Sequence, residues 1–231
     1  MESKLFTPVT FGPLTLRNRT IRSAAFESMC PGNAPSDMLL DYHRSVAAGG
    51  IGMTTVAYAA VTQSGLSFDR QLWMRPEIIP GLRRLTDAIH AEGAAAGIQL
   101  GHCGNMSHKS ICGCMPVGAS SGFNLYSPTF VRGLRADELP EMARAYGRSV
   151  NLAREAGFDS VEIHAGHGYL ISQFLSPSTN HRKDEFGGSL QNRMRFMDMV
   201  MEEVMKAAGS DMAVLLSLIH ISEPTRPLYI S

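Results

Sequence analysis

The residues best suited to chemistry lie in one short segment in the second half of the chain. His164, His167 and Tyr169 follow Val161 to Ile163, an apolar run typical of a buried strand. Two imidazoles at the C-terminal end of a strand can bind a carbonyl oxygen or a metal ion, and a nearby phenol can transfer a proton. A lone histidine is commonly a core residue, but two at this spacing before a tyrosine predict a functional site.

The strand that carries the first histidine separates its polar and apolar side chains. Val161 and Ile163 share one face, and Glu162 and His164 share the other, because side chains alternate along a strand. The apolar pair suits packing against outer helices. We therefore expect the polar pair to point toward the interior of the fold, where a ligand would lie above the core.

Helices and strands alternate along the chain. The hydrophobic patterns predict strands at 19–25, 51–60, 94–101, 160–164 and 212–216, helices at 37–48, 76–92, 137–156 and 189–208, and a long loop at 103–136. A repeated β-then-α order implies parallel strands covered by helices. Doubly wound sheets and (β/α)8 barrels share this pattern.

Polar residues near strand ends favour the barrel. Gln99, His102 and His164 lie where (β/α)8 barrels place their active sites. No G-x-G-x-x-G turn follows the first strand, which argues against a dinucleotide-binding sheet. The predicted fold class is therefore α/β, a (β/α)8 TIM barrel truncated after about strand 5. The truncation is expected because five strands use the chain up to Leu216, whereas a full barrel takes about 250 residues.

The composition is that of an ordinary globular domain. The chain has 231 residues, 44% of them hydrophobic, and a formal net charge of zero, so nothing in its charge favours nucleic acid as a partner. No apolar run reaches the roughly 18–20 residues that a membrane helix needs. The N-terminus has no signal-peptide pattern, which makes a cytoplasmic location the expectation. The cysteines, Cys30, Cys103, Cys112 and Cys114, are expected to be free thiols.

A long motif continues from the histidines. Residues 164–177 have the sequence HAGHGYLISQFLSP, and residues 184–193 have the sequence DEFGGSLQNR. The chain here resembles the old yellow enzyme family of flavin-dependent ene reductases, with the related NADH:flavin oxidoreductases and dienoyl-CoA reductases. The resemblance implies FMN as cofactor, NADH or NADPH as hydride donor and a small activated alkene as substrate. It also implies that His164 and His167 hold the substrate carbonyl and that Tyr169 donates the proton.

The same resemblance assigns contacts to FMN. The stretch 22–29 (RSAAFESM) is similar to the R-S-A-x-x-E-x-M oxidoreductases, and Phe26 stands where many members have Thr or Cys. Gln99 matches a glutamine that hydrogen-bonds the flavin pyrimidine edge; its other interpretation is a buried amide bonded to backbone. The implied cofactor contacts are Ser23, Ala24, Ala25, Phe26, Tyr58 and Gln99.

Other features of the chain are predicted to be structural. Ser189 is expected to cap the helix that follows it, and the charged residues at 182–184 to lie in a solvated loop. Four methionines at helical spacing are expected to belong to the core. They are Met194, Met197, Met201 and Met205. The loop 104–135 is expected to shape the substrate pocket.

The end of the chain departs from the resemblance. A basic residue that touches the flavin is expected near 215–217, but the residues are Leu215, Leu216 and Ser217. Residues 217–231 resemble translated sequencing-adapter DNA. We therefore expect a partial FMN-binding barrel at 1–216, a non-native tail at 217–231, weak FMN binding and open sheet edges. Any iron–sulfur cluster or FAD domain would lie beyond this chain.

Two other functions stay open at this point. Glu162, His164, His167 and His181 could ligate a divalent metal, which would indicate a metal-dependent barrel hydrolase or aldolase. A non-catalytic product that folds poorly or only binds a partner is the third interpretation. The patterns do not indicate an oligomeric state.

Overall fold

The computed structural model describes residues 3–125 and 128–218. Its strands and helices, in chain order, are β1 (Val9–Phe11), β2 (Leu14–Leu16), β3 (Ile21–Arg22), α1 (Asp37–Ala48), β4 (Met53–Ala60), α2 (Ile79–Ala91), β5 (Ala95–Gly101), α3 (Lys109–Cys112), β6 (Val117–Gly118), β7 (Gly122–Asn124), β8 (Thr129–Gly133), α4 (Leu139–Glu155), β9 (Ser160–His164), α5 (Leu170–Leu175), α6 (Leu190–Ala208) and β10 (Ala213–Ser217).

The centre of the fold is a parallel sheet of five strands in the order β10–β9–β5–β4–β3. Helices lie between successive strands of this sheet, as in the β/α units of a barrel. All eight residues of β4 are buried, because its two faces are both covered. The core continues into the helices, where Tyr146 of α4 and Phe196 of α6 are fully buried.

Local capping explains where two of the helices begin. Ser36 Oγ accepts a hydrogen bond from the Leu39 amide at 3.2 Å, so α1 begins at the predicted residue. Ser189 Oγ accepts one from the Asn192 amide at 3.3 Å, as predicted for α6. The predicted strand at 19–25 is wrong beyond Arg22, because β3 ends there and the next four residues line a cavity instead of pairing in the sheet.

The predicted long loop contains regular structure. Between β5 and α4 the chain forms the short helix α3 and a small sheet in the order β6–β8–β7. Strands β7 and β8 are antiparallel, and Phe123 and Phe130 lie opposite each other with ring centroids 5.2 Å apart. These strands are two to five residues long and each contains a glycine, so they show no periodic hydrophobic pattern. Helix α5, after β9, was also not predicted.

The hairpin β1–β2 precedes the central sheet and is tied to the ends of two of its helices. Gly12 has a positive φ of 53° in its turn. Arg17, directly after β2, donates to the carbonyls of Ala47, Ile51 and Glu92. One guanidinium therefore links the hairpin to the ends of α1 and α2.

The prediction that the four methionines of α6 belong to the core is wrong for Met194 and Met205, whereas Met197 and Met201 are partly buried and pack against the core. The buried side of this helix consists of Phe196, Val200, Val204 and Ala208. Met194 and Met205 are 38% and 52% exposed. The fully buried row of α6 is thus a different one from the methionine row, whose members also line two cavities on the surface of the helix.

Two further expectations concern the limits of the fold. Among the described helices, none combines the length and the apolar character needed to cross a membrane. The predicted tail begins at Ser217, which is the last residue of β10, and its residues 219–231 lie outside the described part of the chain.

Candidate active site

A cavity of about 370 Å³ lies at the C-terminal ends of the parallel strands. Every strand of the central sheet contributes to it, either directly or through the segment that follows. Its lining consists of Ser23, Ala24, Ala25, Phe26, Ala57, Tyr58, Phe68, Gln99, Glu162, His164, His167, Tyr169 and Ser217. The structure therefore brings all nine predicted site residues to one cavity, while their individual roles stay predictions.

The two histidines contact each other. His164 Nε2 lies 2.9 Å from His167 Nδ1, so one imidazole donates a hydrogen bond to the other. His167 has a positive φ of 56°, an uncommon conformation for a residue with a side chain. A carbonyl oxygen bound by both nitrogens would have to replace this bond, and both nitrogens would then have to carry a proton.

The phenol of Tyr169 packs against the histidines and against a second tyrosine. Its ring centroid lies 5.1 Å from that of His164 and 5.4 Å from that of Tyr58. Burial raises the pKa of Tyr169 above its usual value of 10.0, and hydrogen bonding to Ser67 and Tyr58 offsets this only in part. The phenol is therefore protonated at neutral pH and can donate its proton.

A hydrogen-bonded amide and carboxylate form the floor of the cavity. Gln99 of β5 and Glu162 of β9 are opposite each other in the sheet, and Gln99 Nε2 donates to Glu162 Oε1 at 2.5 Å. This confirms the predicted inward direction of the polar face of β9. The partner of the Gln99 nitrogen is a side chain, whereas the alternative prediction gave it a backbone partner.

These residues fit the ring system of a flavin. Ser23, Ala24 and Ala25 give one wall a small-residue surface that a flat ring can approach, and Gln99 offers an amide for a polar ring edge. None of the described lining residues is Lys or Arg. Ser217 occupies the end of β10, where the resemblance predicts a basic residue. The described lining residues thus suit the ring system of FMN better than its phosphate group.

An aromatic pair stands at one side of the cavity. Phe26 and Phe68 are stacked, with ring centroids 4.7 Å apart and planes 25° apart. They are 40% and 46% exposed, so part of each ring faces open space. Phe68 was not predicted, since it follows a strand in an irregular segment and only its pairing with Phe26 brings it to the site.

A buried carboxylate supports the wall that carries Ser23 to Phe26. The side chain of Glu27 is 3% exposed and accepts a hydrogen bond from Arg22 Nη1 at 2.6 Å. His43 Nε2 lies 3.3 Å from the same oxygen, and the Ala57 amide donates to the carboxylate. Glu27 therefore links the segment after β3 to β4. The link is made at Ala57, the residue before Tyr58.

His102 belongs to the framework and not to the cavity lining. It is fully buried, its Nδ1 accepts the Gly104 amide at 2.9 Å, and its Nε2 lies 3.1 Å from Ser64 Oγ. Burial lowers the pKa of its imidazole from 6.5 to about 3, so it is neutral at physiological pH.

Two expectations about the surroundings of the site find no support. The loop 104–135 contributes none of the described lining residues, so the prediction that it shapes this cavity is wrong for the chain as described. Within residues 3–125 and 128–218, no cluster of three or more His, Cys, Asp or Glu side chains could hold a metal ion. His181, the fourth ligand of the metal hypothesis, is not among the lining residues.

Comparison with known proteins places this geometry in a family. The profile of the NADH:flavin oxidoreductase / NADH oxidase family matches residues 4–225. A 4,4'-dithiodibutanoate disulfide reductase of Rhodococcus erythropolis is 43% identical over 91% of this chain and 52% of its own length. An NADPH dehydrogenase of Bacillus subtilis is 37% identical over 88% of this chain and 60% of its own length.

A solved structure shows the same fold. The old yellow enzyme homologue from Zymomonas mobilis matches with a TM-score of 0.85 and 30% identity, over 93% of this chain and 63% of that one. The chain thus spans between half and two thirds of the length of these three proteins. The prediction of a (β/α)8 barrel present in part is confirmed. The chain belongs to the NADH:flavin oxidoreductase / NADH oxidase family.

Proposed function

We propose that the whole protein reduces activated alkenes such as enones, with FMN as its cofactor and NADH or NADPH as its source of hydride. FMN, when bound, supplies the capacity to accept and deliver the hydride. The observation that carries the proposal is the meeting of three groups at one cavity: the hydrogen-bonded pair His164 and His167, and the protonated phenol of Tyr169.

The cofactor ring would be held by two parts of the cavity. The wall of Ser23, Ala24 and Ala25 offers backbone groups, and Gln99 offers its amide to the polar edge of the ring. Glu162 fixes the orientation of that amide through the hydrogen bond to its nitrogen. The stacked Phe26 and Phe68 would cover an apolar surface beside this wall.

The histidine pair would orient the substrate and stabilise its charge. Negative charge develops on the carbonyl oxygen of an enone when its β-carbon gains a hydride. His164 Nε2 and His167 Nδ1, 2.9 Å apart, are close enough for one oxygen to accept a bond from each. In other enzymes one such donor is worth about 2.7–4 kcal/mol in the transition state.

Tyr169 would complete the reaction as the proton donor. Reduction of a carbon–carbon double bond needs one hydride and one proton, and the proton goes to the α-carbon. A buried phenol with a raised pKa holds its proton at neutral pH and faces the same cavity as the histidines. The two histidines would thus orient the substrate, and Tyr169 would supply the acid.

Visible absorption spectra test this proposal. FMN is titrated into the 231-residue chain and into a chimera in which residues 1–216 continue into the C-terminal part of the Bacillus subtilis relative. We expect the chimera to bind FMN, to be bleached by NADH or NADPH and to regain its colour when an enone is added. A chimera that folds but neither binds FMN nor reduces an enone would contradict the proposal.

The control and the substrate panel refine the experiment. A chimera with His164→Ala and His167→Ala should still bind FMN and be bleached, but should regain its colour slowly with an enone. The panel includes 4,4'-dithiodibutanoate, because the Rhodococcus relative is named for the reduction of that disulfide. Faster turnover with the disulfide than with every alkene tested would replace the proposed substrate class.

A further inference from the structure

Gln173, in α5, has a buried side chain that contacts two loops of the active-site edge. It is 1% exposed. Its Nε2 lies 2.6 Å from the Gly168 carbonyl, 2.9 Å from Asn105 Oδ1 and 3.1 Å from the Cys103 carbonyl. Its Oε1 accepts the Asn105 amide at 3.1 Å. One amide thus joins the loop after β9 to the loop after β5.

Two glycines leave room for this amide. A Cβ at Gly104, which has a positive φ of 63°, would lie 2.5 Å from Gln173 Nε2. A Cβ at Gly118 would lie 3.1 Å from Gln173 Oε1. The amide therefore occupies a slot that side chains at these positions would fill, and it has little space in which to move.

The loop held by this amide has an uncommon backbone. His167 and Gly168 both have positive φ values, of 56° and 66°. Such a conformation at a residue with a side chain persists only when its surroundings enforce it. The Gly168 carbonyl that Gln173 binds lies between His167 and Tyr169 in the chain. The Gln173 backbone amide also donates to the Tyr169 carbonyl at 2.7 Å.

We propose that Gln173 is a positioning residue of the active site. It holds the Gly168 carbonyl and thereby keeps His167 in its left-handed conformation and Tyr169 directed into the cavity. The consequence for catalysis rests on the function proposed above, whereas the effect on the loop does not. Gln173 acts through its neighbours and is absent from the cavity lining.

Hydrogen exchange of the 231-residue chain tests the effect on the loop. Gln173→Glu keeps the size of the side chain but removes the donors to the Gly168 and Cys103 carbonyls. We expect amide exchange in residues 165–170 to become about tenfold faster. Unchanged exchange in this segment, in a variant that is folded by circular dichroism, would overturn the proposal.

A matched control separates positioning from general loss of stability. Asn180 is also a buried amide; its Nδ2 donates to the Phe174 and Phe186 carbonyls at 2.7 and 2.8 Å, at the far end of α5. Asn180→Asp should lower the melting temperature by a similar amount and leave exchange in residues 165–170 unchanged. If it loosens that segment as much as Gln173→Glu does, Gln173 has only a structural role.

Kinetics in the chimera test the consequence for catalysis. In Gln173→Glu we expect kcat for enone reduction to fall about 10- to 100-fold, with the Kd for FMN changed less than twofold. Gly104→Ala should reproduce this split, because its Cβ displaces the amide. Equal losses of FMN affinity and kcat would overturn the positioning role. If the unchanged chimera reduces no alkene, the proposed function fails, and hydrogen exchange still decides the effect of Gln173 on the loop.

Discussion

Burial keeps two aromatic acid–base side chains neutral, with opposite shifts in pKa. Burial disfavours whichever form is charged, so it raises the pKa of Tyr169 and lowers that of His102 to about 3. In the proposed ene reduction, the neutral form of Tyr169 is the proton donor. For His102 the neutral form has a lone pair at Nδ1, which accepts the Gly104 amide.

Tyr169→Phe removes the proposed proton donor and leaves the packing of the ring. We expect the rate of enone reduction in the chimera to fall by about 10²- to 10⁴-fold, because general acid catalysis contributes about this much. Single-turnover absorption measurements would show it as slow reoxidation of the bleached protein. Tyr42→Phe is the control, since Tyr42 lies on α1 and is outside the cavity lining. A similar rate in Tyr169→Phe and wild type would remove Tyr169 from the mechanism.

The lowered pKa of His102 predicts a loss of stability in weak acid. Below pH 6.5 the unfolded chain binds a proton that the folded chain takes up only near its pKa of about 3. Above pH 6.5 the buried imidazole of His102 therefore causes no loss of stability. Below pH 6.5 it lowers the free energy of unfolding by about 1.4 kcal/mol per pH unit.

Urea unfolding at pH 7, 6 and 5 measures that slope. The comparison is with His102→Asn, whose side chain can still accept the Gly104 amide and which has no imidazole to titrate. The difference in unfolding free energy between wild type and variant should shrink as the pH falls. An exposed histidine, replaced in His108→Asn, serves as control and should leave the slope as in wild type. Parallel curves for wild type and His102→Asn would contradict the assignment.

The sequence identified site residues where a motif or a strand direction determines them. His164, His167 and Tyr169 belong to one long motif, and the alternation along β9 predicted which way Glu162 points. Phe68 had no such signal, because it reaches the cavity by stacking on Phe26, from another part of the chain. Gln173 stood inside the motif, but its role depends on carbonyls and glycines of a distant loop.

At the scale of elements, glycines in β5 control how closely the strands and the site residues approach. A Cβ at Gly101 would lie 3.1 Å from Tyr58 Cδ2 and 3.2 Å from His164 Cβ. These are closer than ordinary van der Waals contacts, so both neighbours would have to move. The last residue of β5 therefore has to be a glycine for Tyr58 and His164 to face the same cavity in these positions.

Gly101→Ala tests this spacing. We expect a loss of about 1–3 kcal/mol in the free energy of unfolding, the usual cost of overpacking, and weaker FMN binding by the chimera. Gly122→Ala in β7 is the matched control, because its Cβ would meet nothing within 4 Å. Urea unfolding of both variants gives the comparison. Equal stabilities would show that the neighbours of Gly101 move freely.

The bounds of elements were predictable where local signals set them. Helix α1 has its predicted ends because Ser36 caps it and a glycine follows it. Strand β3 is shorter than predicted because residues after Arg22 serve the cavity instead of the sheet. The small sheet β6–β8–β7 forms by pairing between short segments, and such pairing leaves no period in the sequence.

At the scale of the whole molecule, the described sheet is open. Strands β3 and β10 lie at its two edges, and Leu216 on β10 is 37% exposed. An exposed apolar edge strand can pair with another chain. The prediction of a partial barrel implies such open edges, since closed barrels have none.

We expect the 231-residue chain to self-associate through its open sheet edge, and a charge on the edge strand to reduce this association. We expect Leu216→Lys to shift its size-exclusion profile toward the monomer, because a lysine at a sheet edge opposes pairing with a second edge. Phe130→Lys, which removes a 71% exposed side chain from β8, is the control and should leave the profile unchanged. If both substitutions have the same effect, general surface hydrophobicity and not the edge causes the association.

The methionines of α6, of which Met194 and Met205 are exposed, give the molecule a chemical marker of whether the barrel around this helix is closed. Sulfoxide formation needs contact between the thioether sulfur and a dissolved oxidant such as peroxide. Met194, Met197, Met201 and Met205 line open cavities on this face of the helix. Where a further β/α unit covers the face, as a closed eight-stranded barrel requires, these sulfurs are shielded. The extent of their oxidation therefore records whether the barrel around α6 has been closed.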